Sequence, residues 1–172
     1  NGVVSNLLGG PSVYTFDVTP SGSGAVNVNI AAAMAQDLAG NNNTASNTLS
    51  RTADMTAPTV TLTSGAPATV NALFNVTATF SESVTGLVAG DISASNGLVS
   101  NLLGGPTVYT FDVTPSGSGA VNVDIAAGGA QDLASNNNTA SNTLSRTADM
   151  TAPTVTLTSG APATVNALFN VT

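Results

Sequence analysis

The chain has 172 residues, with 9 Asp plus Glu against 2 Arg, no Lys, no His, no Cys and no Trp, for a formal net charge of −7. Nothing in it can neutralise a nucleic-acid backbone or dock on an anionic bilayer, and cations are the favoured electrostatic partners. Thiol and imidazole nucleophiles, disulfides and Cys/His zinc sites are excluded by the residue alphabet, and no run approaches the ~18 apolar residues that signal a membrane span.

From its first residue the chain runs through a segment that returns 95 positions later, because residues 1–77 and 96–172 agree at 71 of 77 positions. The six differences are Val3/Leu98, Ser12/Thr107, Asn29/Asp124, Ala33/Gly128, Met34/Gly129 and Gly40/Ser135. A unit of this length is a small domain, longer than a solenoid repeat of roughly 20–50 residues. Gly, Ser, Thr and Asn are abundant, but Val, Ile, Thr and Phe fall in short alternating runs that disordered segments lack.

The complete unit is read from about Thr56 to Asp149. Thr59 to Thr63 alternates polar and apolar, the period of a half-buried strand, and Gly65-Ala66-Pro67 turns the chain. Leu73 to Phe80 alternates again, with Phe74, Val76, Ala78 and Phe80 on one face and Asn75, Thr77 and Thr79 on the other. Residues 84–95 are less regular, with Leu87, Val88 and Ile92 as core candidates. Leu98 to Leu103 is a fourth run, closed by Gly104-Gly105-Pro106, and Val108 to Val113 a fifth with Tyr109, Phe111 and Val113 inward. Pro115 to Gly119 is a turn, and Ala120 to Ile125 a sixth strand with Val121, Val123 and Ile125 inward. Thr139 to Thr147 is a weak seventh, with Leu144 its one large apolar residue. Ala31 to Leu38 is the one helix candidate; its second copy carries Gly128-Gly129, about 2 kcal/mol worse than alanine in a helix, so a loop is expected.

Seven short strands with turn signals at this spacing predict an all-β fold, an immunoglobulin-like antiparallel β-sandwich, in tandem. Residues 1–55 are read as the C-terminal part of one repeat, 56–150 as a complete repeat and 151–172 as the N-terminal strands of the next.

Phe80-Ser81-Glu82-Ser83-Val84-Thr85-Gly86 followed by Asp91-Ile92 resembles the bacterial Ig-like tandem repeats of giant surface adhesins. So do Asp37-Leu38-Ala39-Gly40-Asn41 and the linker from Asp54 to Val60. The resemblance spans the whole chain and implies a secreted or cell-surface bacterial protein whose repeats form a stalk, with calcium at domain junctions. The second copy departs from the pattern by reading Asp132-Leu133-Ala134-Ser135-Asn136, with Ser for Gly.

Strand direction gives a separate argument. If seven strands alternate down and up, the linker at Asp54, the end of the second strand at Glu82 and the loop after the sixth, with Asp132 and Asn136, share one pole beside the preceding repeat. Carboxylates, Asn side chains and loop carbonyls are what calcium takes, six to eight oxygens at a time. The candidate metal ligands are therefore Asp54, Glu82, Asp132 and Asn136, with Asp37, Asn41 and Asp149 as their counterparts in the neighbouring repeats. The alternative is ordinary turn chemistry, in which Asp and Asn bond nearby backbone. Asp91 is read as a capping or turn residue, Asp112 as a solvated charge, and Asp124, which is Asn29 in the first copy, as no essential ligand. The Asn-x-Thr triplets at Asn42, Asn75, Asn137 and Asn170 are read as chance in a chain so rich in both residues.

The leading functional expectation is a non-catalytic stalk whose partners are neighbouring repeats of the same chain. A second reading is a self-assembling extracellular filament with strand complementation between chains, because both ends carry partial repeats. A third, a carbohydrate-binding module, lacks exposed aromatics to support it. No enzyme, nucleic-acid or membrane-inserting role is expected.

Overall fold

The computed structural model describes residues 1–172, and it is all-β. The first four strands are β1 (Val3–Gly9), β2 (Tyr14–Thr19), β3 (Gly24–Val28) and β4 (Leu49–Ala53). They form two separate antiparallel hairpins, β1 with β2 and β3 with β4. The strands β5 (Val60–Thr63), β6 (Thr69–Val70), β7 (Phe74–Phe80), β8 (Val84–Thr85), β9 (Ile92–Ser95), β10 (Gly97–Gly104), β11 (Val108–Pro115), β12 (Gly119–Ile125), β13 (Gln131–Asp132) and β14 (Leu144–Ala148) follow, with one 3-10 turn at Ala89–Asp91.

Two four-stranded sheets make the sandwich, in the orders β10-β11-β7-β5 and β6-β14-β12-β9. In immunoglobulin lettering these are D-E-B-A and A′-G-F-C, which makes the unit an immunoglobulin-like β-sandwich of the constant type. All pairings are antiparallel except β6 with β14. That short parallel strand, Thr69–Val70, is missing from the sequence reading; two residues carry no period to detect.

Alternation decides which side chains enter the core. Along β7, Phe74, Val76, Ala78 and Phe80 are buried while Asn75 and Thr79 are exposed, and Phe111, Val113, Val121, Val123 and Ile125 are sealed completely. Each large side chain so buried contributes roughly 1.5–3 kcal/mol relative to exposure. Phe80 and Tyr109 meet edge to face, with ring centroids 5.9 Å apart. In β10 the register shifts between Ser100 and Leu103, with Asn101 at a φ of 53°. The bulge lets Val99 and Leu102, three apart, both pack on the core, while Leu98 and Leu103 face solvent.

Three expectations need correction. Val88 is 58% exposed, because it opens the 3-10 turn instead of continuing a strand, and only Leu87 and Ile92 of that trio are buried. The last strand begins at Leu144, since Ser141 and Asn142 spend their side chains on the main chain of Ile125 and Leu62 before the ladder starts. Asp112 is not simply solvated: Asn101 donates to it at 2.8 Å and Asn75 at 3.3 Å, and these two amides, Asn101 first, hold its carboxyl below the usual range.

Ala31 to Leu38 is a loop of turns, with no helix. Residues 151–172 form no strand; the main chains of Thr158 and Thr172 bond each other at 2.9 and 3.0 Å.

Candidate metal centre at the pole of the sandwich

Three chain segments are laced together at the end of the sandwich where β5 begins. The N–H of Ser81 donates to the Thr59 carbonyl at 2.9 Å, and the Thr59 N–H donates to Ser81 Oγ at 3.0 Å. This fastens the linker to the end of β7, just before Glu82. Thr139 N–H donates to the carbonyl of buried Pro58 at 2.8 Å, bringing in the loop after β12. Finally β13 pairs with β8, setting Asp132 opposite Val84 and thus close to Glu82.

The result is a group of three acids. One carboxylate oxygen from each of Asp54, Glu82 and Asp132 lies within 4.8 Å of the others, with Asp132 buried, Glu82 half-buried and Asp54 exposed. Asn136 braces them: its Nδ2 donates to Asp132 Oδ2 at 2.8 Å and to the main-chain oxygen of Asp54 at 3.1 Å. Asp132 Oδ1 accepts the N–H groups of Ala134 and Asn136, both at 2.8 Å, and Asp54 Oδ1 accepts that of Thr56 at 3.0 Å.

The acids feel different environments. Burial pushes the Glu82 carboxyl above its usual value, the charges of Asp54 and Asp132 push it the same way, and no hydrogen-bond donor offsets them. Burial also pushes Asp132 upward, yet the Asn136 amide and the N–H groups of Asn136, Ala134 and Ser135 outweigh it and hold Asp132 low. The two arginines give no relief, because their guanidinium hydrogen bonds go to main-chain oxygens of Ser50, Ser64 and Ser145.

The donor set fits a hard cation. Calcium sits 2.3–2.6 Å from its oxygens, so two ligands of one ion stand up to about 5 Å apart. Asp54, Glu82 and Asp132 would hold the ion, and Asn136 would hold the acids.

The other candidates are not gathered in this way. Asp37 and Asn41 repeat the turn of Asp132 and Asn136, with Asn41 Nδ2 at 2.9 Å from Asp37 Oδ2, but Asp37 stands outside any group of three acids. Asp149 bonds the Thr151 N–H at 3.0 Å, as Asp54 bonds Thr56, and also stands outside any group of three. Ser135 adopts a φ of 70° where Gly40 has 86°, and the N–H of each donates to its Asp carbonyl, at 3.2 and 3.1 Å. The serine thus keeps the turn despite the left-handed backbone that favours glycine.

Sequence reasoning missed Asn138. It is 2% exposed; its Oδ1 accepts the Ala130 N–H at 2.7 Å, and its Nδ2 donates to the carbonyls of Thr139 and Ala126 at 2.7 and 3.1 Å. These bonds fold the loop that carries Asp132. In a run of three asparagines no letter marks the one that turns inward. Asn142 was missed likewise; its amide exchanges two hydrogen bonds with the main chain of Leu62, at 2.7 and 3.1 Å.

A family model of the bacterial Ig-like domain matches residues 54–148, more than half of the chain. The chain belongs to the bacterial Ig-like domain family. The match begins at Asp54 and ends at Ala148, so all three clustered acids fall inside it. Bacterial Ig-like domains of this kind are typically non-catalytic structural domains, commonly extracellular or at the surface. No curated protein and no solved structure matches the chain. No helix is long and apolar enough to cross a membrane.

Proposed function

We propose that this chain is a segment of a structural stalk of a secreted or cell-surface bacterial protein of the adhesin kind. In this reading residues 1–55, 56–150 and 151–172 belong to three successive repeats, and the joints between repeats are stiffened by calcium. The observation that carries the proposal is the meeting of a linker acid, Asp54, with Glu82 and Asp132 from the sandwich itself, within 4.8 Å. An ion held there ties the linker to the pole of the following repeat. A joint so tied resists bending, which is what a stalk needs.

Calcium titration of the 172-residue chain, followed by calorimetry, tests this. One ion per Asp54–Glu82–Asp132 group is expected, and calcium at 100 times its Kd stabilises the sandwich by about 2.7 kcal/mol. Asp132→Asn and Glu82→Gln abolish the effect, whereas Asp37→Asn leaves it intact. Absence of heat and of any Tm shift at millimolar calcium removes the metal from the proposal. Interdomain mobility that is the same in calcium and in EDTA removes the stiffening.

A further inference from the structure

Tension carried by a stalk reaches the complete repeat through the linker before Pro58 and the linker after Asp149. The segments that take the load, 58–70 and 139–149, lie side by side and run in the same direction. Five contacts step along both of them in order. The Thr139 N–H donates to the Pro58 carbonyl at 2.8 Å. Asn142 Oδ1 accepts the Leu62 N–H at 2.7 Å, and its Nδ2 donates to the Leu62 carbonyl at 3.1 Å. Arg146 Nη2 donates to the Ser64 carbonyl at 2.9 Å. The N–H groups of Thr147 and Asp149 then donate to the carbonyls of Ala68 and Val70 at 2.9 and 2.8 Å, where β6 pairs with β14 in parallel.

Main-chain pairing alone would give a much shorter contact. Strand β6 has only 2 residues, and β5 belongs to the opposite sheet. Asn142 and Arg146 extend the contact across the gap between the sheets. Arg146 is the one basic side chain of residues 56–150. It shares the parity of Leu144 and Ala148, which pack on the core, so it points between the sheets. Its Nε is sealed from water with no partner, and its Nη1 bonds the Ser145 carbonyl at 2.8 Å. The charge is thus directed at main-chain oxygens, and a charged donor makes a stronger bond than a neutral one.

We propose that this parallel seam, from Pro58–Thr139 to Val70–Asp149, is the element that carries tension through the repeat, with Asn142 and Arg146 as its bolts. The inference rests on the stalk reading, in which the pull comes along the chain. Because the segments are parallel, pulling on the front of one and the back of the other slides them lengthwise. Every contact is then strained together, and the segments part only when several break at once. Opening the same seam from one end would break its contacts one after another. Resistance to forced unfolding follows the rate of unfolding and not the equilibrium stability, so a seam of modest net stability holds a repeat under load.

Optical-tweezers pulling of the full 172-residue chain in EDTA tests this. The chain has no cysteine, so a pair of introduced thiols fixes where the force enters. Met55→Cys with Met150→Cys, both at exposed positions, pulls the seam lengthwise. Asn71→Cys with Met150→Cys opens it from the Val70–Asp149 end. The lengthwise rupture force is expected to be about twofold higher or more, although both pulls unfold the same sandwich. Equal forces, or a weaker lengthwise one, overturn the proposal. This comparison keeps every bonded side chain of the seam native, so it holds whether or not the seam variants fold. In lengthwise pulls Asn142→Ala and Arg146→Met are each expected to lose about a third of the force, and Asn75→Ala, whose amide bonds the Phe111 carbonyl away from the seam, less than about a tenth. An equal loss in all three overturns the roles of Asn142 and Arg146. No calcium joint contributes in EDTA, so equal forces would strike the seam and leave the stalk standing, while joints that calcium fails to stiffen would leave the force ratio as it is.

Discussion

Ile30 and Ile125 hold the same place in the repeat, yet one is 48% exposed and the other sealed. Around them the two copies make the same local structure. Hairpin β1–β2 has the register and bulge of β10–β11, and β3–β4 the register of β12–β14. Asn43 makes the bonds of Asn138, to the N–H of Ala35 and the carbonyls of Ala31 and Thr44. What differs is company. The second copy is covered by β5, β6, β7 and β9, and the first is not. Hydrogen-bonded turns and hairpins are a property of local sequence, whereas burial belongs to whatever strands arrive from elsewhere in the chain.

Identical substitutions in the two copies sharpen this contrast. Phe111→Ala empties a fully buried site and is expected to cost about 3–5 kcal/mol, while Phe16→Ala, at the same place in a half-covered face, costs less than about 1 kcal/mol. Paired calorimetric melts of the two variants check it; equal losses would mean that the first copy is covered as well as the second.

Next in size is the loop asparagine. Asn138→Ala strands the N–H of buried Ala130, while the carbonyls of Ala126 and Thr139 belong to exposed residues, for an expected loss of about 1–3 kcal/mol, whereas Asn43→Ala leaves all the equivalent groups to water. Denaturant midpoints of the two variants measure the difference, and hydrogen exchange at Ala130 shows whether the loop has opened.

The smallest effect concerns the acid cluster, in which Asp132 joins Asp54 and Glu82 while its counterpart Asp37 stands in no group of three. Because the Glu82 carboxyl is raised in the folded state, the fold binds its proton more tightly than the unfolded chain does. Calcium-free stability therefore falls as pH rises from the ordinary value of 4.5 through the raised one, and stays lower above it. Glu82→Gln removes that fall. Its Tm is expected to exceed the native one at pH 7 without calcium, and the gap to close in acid. Asp132, held low, acts oppositely: its contribution is present above 3.8 and is lost as pH drops through its lowered value. A Tm difference between Glu82→Gln and the native chain that is flat with pH would show that Glu82 does not feel its neighbours.

Much of the sandwich was legible because one face of each long strand is apolar. Phe74 to Phe80, Phe111 with Val113, and Val121 to Ile125 announce themselves by a period of two. Short elements escaped for lack of length, as Thr69–Val70 did, and Val88 was misassigned because an apolar letter in an irregular stretch has no face to declare. At the pole, strand parity alone brought Asp54, Glu82 and Asp132 to one end. It said nothing of Ser81, Asn138 and Asn142, whose polar side chains bond main chain and look like any other turn residue in the sequence.

Sequence by itself determined the 95-residue period, the all-β class, the inward faces of the long strands and the acids available to a cation. These depend on order along the chain, and order is what a sequence records. The tertiary structure decided which of two near-identical copies is buried, that three acids stand within 4.8 Å, and that Asn138 and not its neighbours turns inward. Each of those depends on surfaces that meet only after the chain has returned on itself, and near-identical letters cannot distinguish a strand with a partner from a strand without one.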